Sequence, residues 1–313
     1  PVLDQILDTW GETLGVCRAY LDDIIISGPV GVLFEFLRNS PTVLQRGLTI
    51  RPDKCCIFMP NQGIVDGLGV QYDIPADIQL VTAAGGITAL GVPIGADDYV
   101  ERFLRDVGES LRQFGDELEG LQHGQLELLL YTYSGGCKRI MHLFRCLPSE
   151  KLLPVADVCN QETMRLLHRL TAPTDELTEH MQAQASLPRR YGGLGLTDIQ
   201  HVENAAFIAA SVASLPSDSN AQPLEAASMD PEFITALTLF NELVDSKDRM
   251  TCSTELQQRP SQRVLTDLVF RRQFDILASD GTHKDVARLK EQASCGASSW
   301  LQPTFIRTHS HSC

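Results

Sequence analysis

Residues 19–27 read Ala19-Tyr20-Leu21-Asp22-Asp23-Ile24-Ile25-Ile26-Ser27, two short apolar runs on either side of Leu-Asp-Asp. Such runs read as strands at 16–20 and 24–27, and Gly28-Pro29 closes the unit. The acidic pair then sits at a hairpin tip. Neighbouring side chains on an extended chain point to opposite sides, so one carboxylate reaches inward while the other flanks it. Two carboxylates this close repel unless a cation lies between them. A hard divalent ion such as Mg²⁺ suits all-oxygen ligands. Sites of that kind serve in-line phosphoryl transfer, where two metals clamp the attacking and leaving oxygens. The same residues also fit a plain hairpin, since Asp is common in turns.

Outward from the hairpin, the pattern alternates between helix and strand. Val2, Leu3, Ile6, Leu7, Trp10 and Leu14 make one apolar helix face, ended by Gly15. A helix is predicted over 30–45, stopped by Gly47, with strand candidates at 48–50, 55–59, 65–72, 78–81 and 87–90. After Gly95 the rhythm becomes helical. Tyr99, Phe103, Val107, Leu111, Phe114, Leu118 and Leu121 keep a period of about 3.6 residues. Asp97 or Asp98 is placed to cap that helix. Further helices are predicted over 125–146 with a kink at Gly135-Gly136, then over 150–170, 198–213, 231–246 and 261–278. Residues 215–231 read as a linker and 308–313 as a disordered tail.

The stretch 19–27 resembles the Tyr-x-Asp-Asp box of reverse transcriptases. Gly47-Leu48-Thr49-Ile50-Arg51-Pro52-Asp53-Lys54-Cys55 is similar to the family's next block, where a helix ends at Gly-Leu and a short strand carries a Lys-Cys pair. Leu90-Gly91-Val92-Pro93-Ile94-Gly95 looks like the turn that the family uses as a primer grip. Leu187-Pro188-Arg189-Arg190-Tyr191-Gly192-Gly193-Leu194-Gly195-Leu196 is similar to a block downstream of the polymerase core in many non-LTR retrotransposon reading frames. The four pieces stand in family order over about 20–200.

The resemblance implies an α+β chain. A partial polymerase palm of short antiparallel strands with helices would occupy 1–97, and an all-α thumb 98–172. A Gly-Gly-Leu-Gly turn and helix would follow over 173–214, then a helical C-terminal region over 215–313. It implies template-directed nucleotidyl transfer with Mg²⁺, an RNA template and a DNA primer. Asp22 would be a metal ligand and Asp23 its less essential neighbour. Lys54 would give a proton to departing pyrophosphate, work suited to a positioned Lys. Residues 90–95 would hold the primer end, and Lys138, Arg139 and Arg145 would face phosphates. Plainer readings stand beside these: Lys54 as a solvated turn residue, 90–95 as a Gly/Pro turn, and the three cations and Arg189-Arg190 as solvated surface.

The family's other catalytic Asp and its Gln-Gly nucleotide-pocket segment lie N-terminal to the box, and only 19 residues precede Tyr20. Asp4 and Asp8 lie on a helical pattern and are poor substitutes. The first residue is not Met, so the chain is expected to begin inside a longer reading frame, and the 313 residues are expected to be inactive alone. The alternative is a non-enzymatic nucleic-acid-binding or helical interaction protein derived from a retroelement.

Composition narrows the remaining classes. Hydrophobic residues at 43% and charged residues at 21% predict a packed core. The net charge of −14, from 26 basic and 40 acidic residues, counts against a grip on nucleic acid built on overall charge. Residues 122–172 are the exception, at a net +2. No apolar run approaches the length of a membrane span, and the start lacks a signal-peptide pattern. Nine cysteines without a CxxC pair read as reduced, mostly buried thiols of an intracellular protein, nuclear or cytoplasmic. A Gly-x-Ser-x-Gly elbow and a Gly-x-Gly-x-x-Gly loop are both absent from the sequence.

Overall fold

Val16–Tyr20 (β1) and Asp23–Ser27 (β2) pair antiparallel, with Tyr20 opposite Asp23 and Val16 opposite Ser27. The computed structural model describes residues 15–20, 23–43, 51–61, 77–171, 177–215, 230–251 and 259–294. The expected helix over 1–14, the strand candidates at 48–50 and 65–72, the linker and the tail fall largely or wholly outside them. The chain is of mixed α and β class and mostly helical. It divides into two units, Pro1–Ala89 with Pro93–Val100, and Leu90–Val92 with Glu101–Cys313.

In the first unit, β2 begins at Asp23, one residue before the predicted strand. Helix Val30–Val43 (α1) follows, its Phe34 packing on Met59 of Cys56–Met59 (β3). Gln79–Thr82 (β4) pairs with β3, and the pair runs parallel, Cys56 opposite Gln79. This corrects the expectation of short antiparallel strands. The chain between them, residues 60–78, is long enough for the crossover that a parallel pair needs. The described strands make three separate two-stranded sheets. β2 is bare, with Ile24 40% and Ile25 39% exposed.

The third sheet joins Ile87–Ala89 (β5) to Val92–Ile94 (β6). Residues 90–95 were expected to be a turn, either primer-grip-like or a plain Gly/Pro turn. The turn falls at Leu90-Gly91 and Val92–Ile94 is a strand, so β5 and β6 make a tight hairpin, because Leu90 at φ 50 and Gly91 at φ 80 supply two successive left-handed residues. That pair makes a two-residue turn matched to strand twist, where Asn-Gly is the favoured sequence. A half-exposed Leu in that conformation is strained. Leu90→Asn is therefore expected to raise unfolding free energy by about 1 kcal/mol, read as a shift in urea midpoint. No gain in the midpoint would show that the turn bears no strain.

In the second unit the helices pack by apolar faces. Asp97–Glu119 (α2) carries both acids in its first turn, where the helix dipole favours them. The predicted helix over 125–146 is two helices, Gly124–Ser134 (α3) and Gly136–Phe144 (α4), with Gly135 capping both. Ser149–Thr171 (α5) carries Pro154 in its second turn, where the ring gives up the bond that an N–H would make to the Glu150 carbonyl. Leu118, Leu128, Tyr131, Leu166 and Leu167 close one core between α2, α3 and α5. Two helices were not predicted, Glu179–Ser186 (α6) and His283–Gln292 (α10). Glu203–Ser214 (α7), Pro231–Leu243 (α8) and Gln262–Asp280 (α9) share a second core around Ile208, Phe240 and Leu265. Among the described residues, no helix is long and apolar enough to cross a membrane.

The Gly-Gly-Leu-Gly block folds back on the end of α6. Leu194 and Leu196 donate to the Ala185 carbonyl and Gly195 to that of Leu187. Leu187, Val202, Phe270, Leu277 and Leu289 pack beside it.

Candidate functional site

Two-residue spacing between Tyr20 and Asp23 makes the Asp-Asp hairpin tight. Asp22, the ligand that the resemblance puts first, lies outside the described residues. Asp23 is the first residue of β2 and is exposed. Lys54 is exposed on the short 3-10 turn Pro52–Lys54, ahead of the strand on which it was expected. Pro52 favours a turn there, and Arg51 pairs with Asp53 at 2.5 Å across it. Among the described strands β1–β2 and β3–β4 are separate sheets, and no ladder joins the Asp23 strand to the strand after Lys54. Among the described residues, no three His, Cys, Asp or Glu side chains converge on a metal position. Asp23 alone falls short of the near-octahedral oxygen set that Mg²⁺ requires.

Of the 90–95 segment, Gly91 belongs to the second unit. Its carbonyl lies 3.3 Å from His142 Nε2 on α4. The same helix carries Lys138 and Arg139. Lys138 Nζ sits 5.0 Å from the centre of the Tyr133 ring. Arg139 donates to Ser110 Oγ at 3.0 Å and lies over Phe114. Arg145 donates to Gln262 Oε1 at 2.9 Å. Arg139 and Arg145 thus have intramolecular partners, although both remain exposed.

Arg189 and Arg190, read as plain surface, differ from each other. Arg190 pairs with Asp267, which also accepts from the Tyr191 hydroxyl at 3.1 Å. Arg189 donates to Thr132 Oγ1 at 3.4 Å and, like Lys138, lies over the Tyr133 ring, 5.8 Å from its centroid.

A buried polar cluster was missed. Asp198 accepts from Asn160 at 2.9 Å, and the Ser149 hydroxyl donates to Asn204 at 3.2 Å. Glu203 is 6% exposed and His201 meets Gln273 at 2.6 Å. Glu203 Oε2 and His201 Nδ1 have no hydrogen-bond partner among the described residues. Burial, with the Asp198 charge beside it, pushes the Glu203 carboxyl up to about 7. Burial lowers His201, against an opposing pull from Asp198. The sequence pattern hid the cluster because 198–213 read as one helix. Asp198 accepts from Gln200 N at 3.0 Å and so forms a separate turn at Ile199–His201 first.

The raised Glu203 value means that the folded state holds this proton more tightly than the unfolded chain. Its stabilising contribution is full below the ordinary carboxylate range and is lost as pH rises through about 7. His201 acts oppositely, losing its contribution as pH falls. Glu203→Gln removes the first effect alone. It is expected to gain stability relative to the parent as pH rises from about 5 to about 8, read as urea midpoints across that range. A constant difference between the two proteins would contradict it.

The five cysteines described with their side chains, Cys55, Cys56, Cys137, Cys146 and Cys159, are free. Of these five Cys159 is buried, Cys55 and Cys137 are half-buried, and Cys56 and Cys146 are exposed, so the expectation of mostly buried thiols does not hold for the described ones. Short strand β3 and the end of α4 leave Cys56 and Cys146 on the surface. Burial pushes the Cys137 thiol up to about 11 and Cys159 higher still, away from nucleophilic reactivity.

No protein-family model, curated protein or solved structure matches the chain.

Proposed function

We propose that the chain is part of a reverse-transcriptase-type polymerase that handles an RNA template and a DNA primer, and that its 313 residues do not polymerise alone. The observation that carries the reading is the antiparallel hairpin β1–β2, whose second strand starts at the exposed Asp23 and runs into helix α1. The strained turn at Leu90-Gly91 supports it. An exposed Leu held left-handed in the segment assigned to the primer end is the kind of backbone outlier that gathers at working sites. Mg²⁺ at Asp22 and Asp23, and proton donation by Lys54, belong to the same proposal. In a complete site the metal would neutralise charge on the transferring phosphoryl group. This chain's part is to hold carboxylate oxygens at the hairpin tip.

Inactivity follows from the ligand set. Among the described residues Asp23 has no further carboxylate converging with it on a metal position, and losing a ligand that stabilises transition-state charge costs orders of magnitude in rate. The test is primer extension on an RNA template with Mg²⁺, beside filter binding of the same template-primer. Expected are no extension and binding that weakens with salt, survives Asp22→Ala and falls in Lys138→Ala/Arg139→Ala. Extension abolished by Asp22→Ala would overturn the inactivity. Absence of binding at low salt would overturn the polymerase lineage. It would favour a helical interaction protein, a reading supported by the intramolecular ties of Arg139 and Arg145.

A further inference from the structure

Among the described residues Tyr133 is the large aromatic side chain most open to solvent, 56% exposed on the last turn of α3. Its ring is wasted as core material, since it buries less than half its surface. Two cations from different parts of the sequence converge on it. Lys138 comes from the first turn of α4, its ammonium 5.0 Å from the ring centre. Arg189 comes from the Gly-Gly-Leu-Gly block, its guanidinium 5.8 Å away. A third, Arg139, stands next to Lys138 in the chain and is exposed. Among the described residues none of the three has a carboxylate partner, whereas neighbouring Arg190 is taken by Asp267. Lys138 and Arg139 also lie early in α4, whose first turn holds no acid. Cations there oppose the helix dipole, so their placement works against stability.

We propose that Tyr133, Lys138 and Arg189 form a docking platform for single-stranded nucleic acid, one base stacking on the Tyr133 ring and the flanking phosphates meeting the two cations. The inference rests on the nucleic-acid reading above and deepens it with a strand type and a residue. Only an unpaired base offers its face to a side chain, and base-on-aromatic stacking is indifferent to sequence. An exposed cation–π contact is weak, so a base readily takes the ring face while the displaced ammonium turns to phosphate. A protein of net charge −14 can still bind a polyanion through such a local cluster, because salt screens charges more than about 10 Å away. Arg189 explains why this surface was not found from the sequence. It reaches Tyr133 from a segment more than fifty residues downstream, brought back by the turn that ends α6.

The experiment is fluorescence anisotropy of the full chain with a labelled oligothymidylate of about 12 nucleotides and with a duplex of the same length, at about 50 and about 200 mM salt. Tyr133→Ala is expected to weaken single-strand binding about tenfold and to leave duplex binding unchanged. Tyr133→Phe, which keeps the ring, is expected to bind like the parent. Arg189→Ala and Lys138→Ala should each reduce the salt slope by about one phosphate contact. Circular dichroism of each variant checks that the fold is kept. Single-strand binding unchanged in Tyr133→Ala overturns the platform and leaves the proposed function standing. Equal weakening of duplex and single strand also overturns it. No binding of either by the parent chain at low salt overturns both.

Discussion

Gly193→Ala is expected to lower the unfolding free energy by about 3 kcal/mol, the upper part of the range for overpacking. A Cβ at this position would stand 2.0 Å from the Leu187 carbonyl oxygen and 2.6 Å from that of Gln184. Both obstacles are backbone, so no side chain can swing aside. The turn can open only by stretching the bonds that Leu194, Gly195 and Leu196 make to the end of α6. Gly195 provides the comparison. It has φ +76, yet the only neighbour a Cβ would touch there is Thr132 Cγ2 at 3.9 Å. Gly195→Ala should therefore cost only the left-handed conformation, about 1 kcal/mol. Urea unfolding followed by circular dichroism separates the two. Equal losses would mean that close approach is not what fixes residue 193.

Arg169→Ala is expected to cost about 3 kcal/mol, because it strands a buried charge. Glu127 is 5% exposed on α3, and Arg169 Nε lies 3.2 Å from its Oε2. The other carboxylate oxygen accepts from His123 N at 3.1 Å, closing the start of α3 in the manner of a capping box. Removing the guanidinium leaves that carboxylate away from water with half its partners. Arg165, one turn earlier on α5, meets Asp116 at 2.6 Å and Glu162 at 3.4 Å. Its partners Asp116 and Glu119 are well exposed, so Arg165→Ala should cost no more than about 1 kcal/mol. The double change Arg169→Met with Glu127→Gln should recover most of the loss. If Arg169→Ala and Arg165→Ala cost the same, burial of Glu127 is not what gives the pair its weight.

Local pattern carried much of the fold. The apolar runs around Asp-Asp gave β1 and β2, and the long 3.6-residue rhythm gave α2, since both depend on near neighbours. Helices α6 and α10 escaped notice because their apolar faces are narrow and rely on distant partners such as Phe270. The parallel pairing of β3 and β4 was illegible for the same reason, as a strand's direction of pairing is not written in its own residues. For the site, the sequence supplied residue types and order. It supplied neither the ring that gathers Lys138 and Arg189 nor the partners that occupy Arg139 and Arg145.

Helix α10 is held against the end of α6 and the Gly-Gly turn. Gln184 on α6 bonds Gln292 at 2.6 Å across 108 residues, and a Cβ on Gly192 would touch the Leu289 carbonyl. Helices α3, α4 and α5 are consecutive and meet over short loops, so their contacts can form early in folding. The α6–α10 closure must wait for the whole intervening chain, and α10 buries only Leu289. It is the element expected to join last and to open first. Native-state hydrogen exchange should find the amides of His283–Gln292 released in an opening that leaves α3 to α5 protected. The Gly-Gly turn would then be uncovered intermittently in an otherwise folded molecule, the place where a protease or a chaperone first gains purchase.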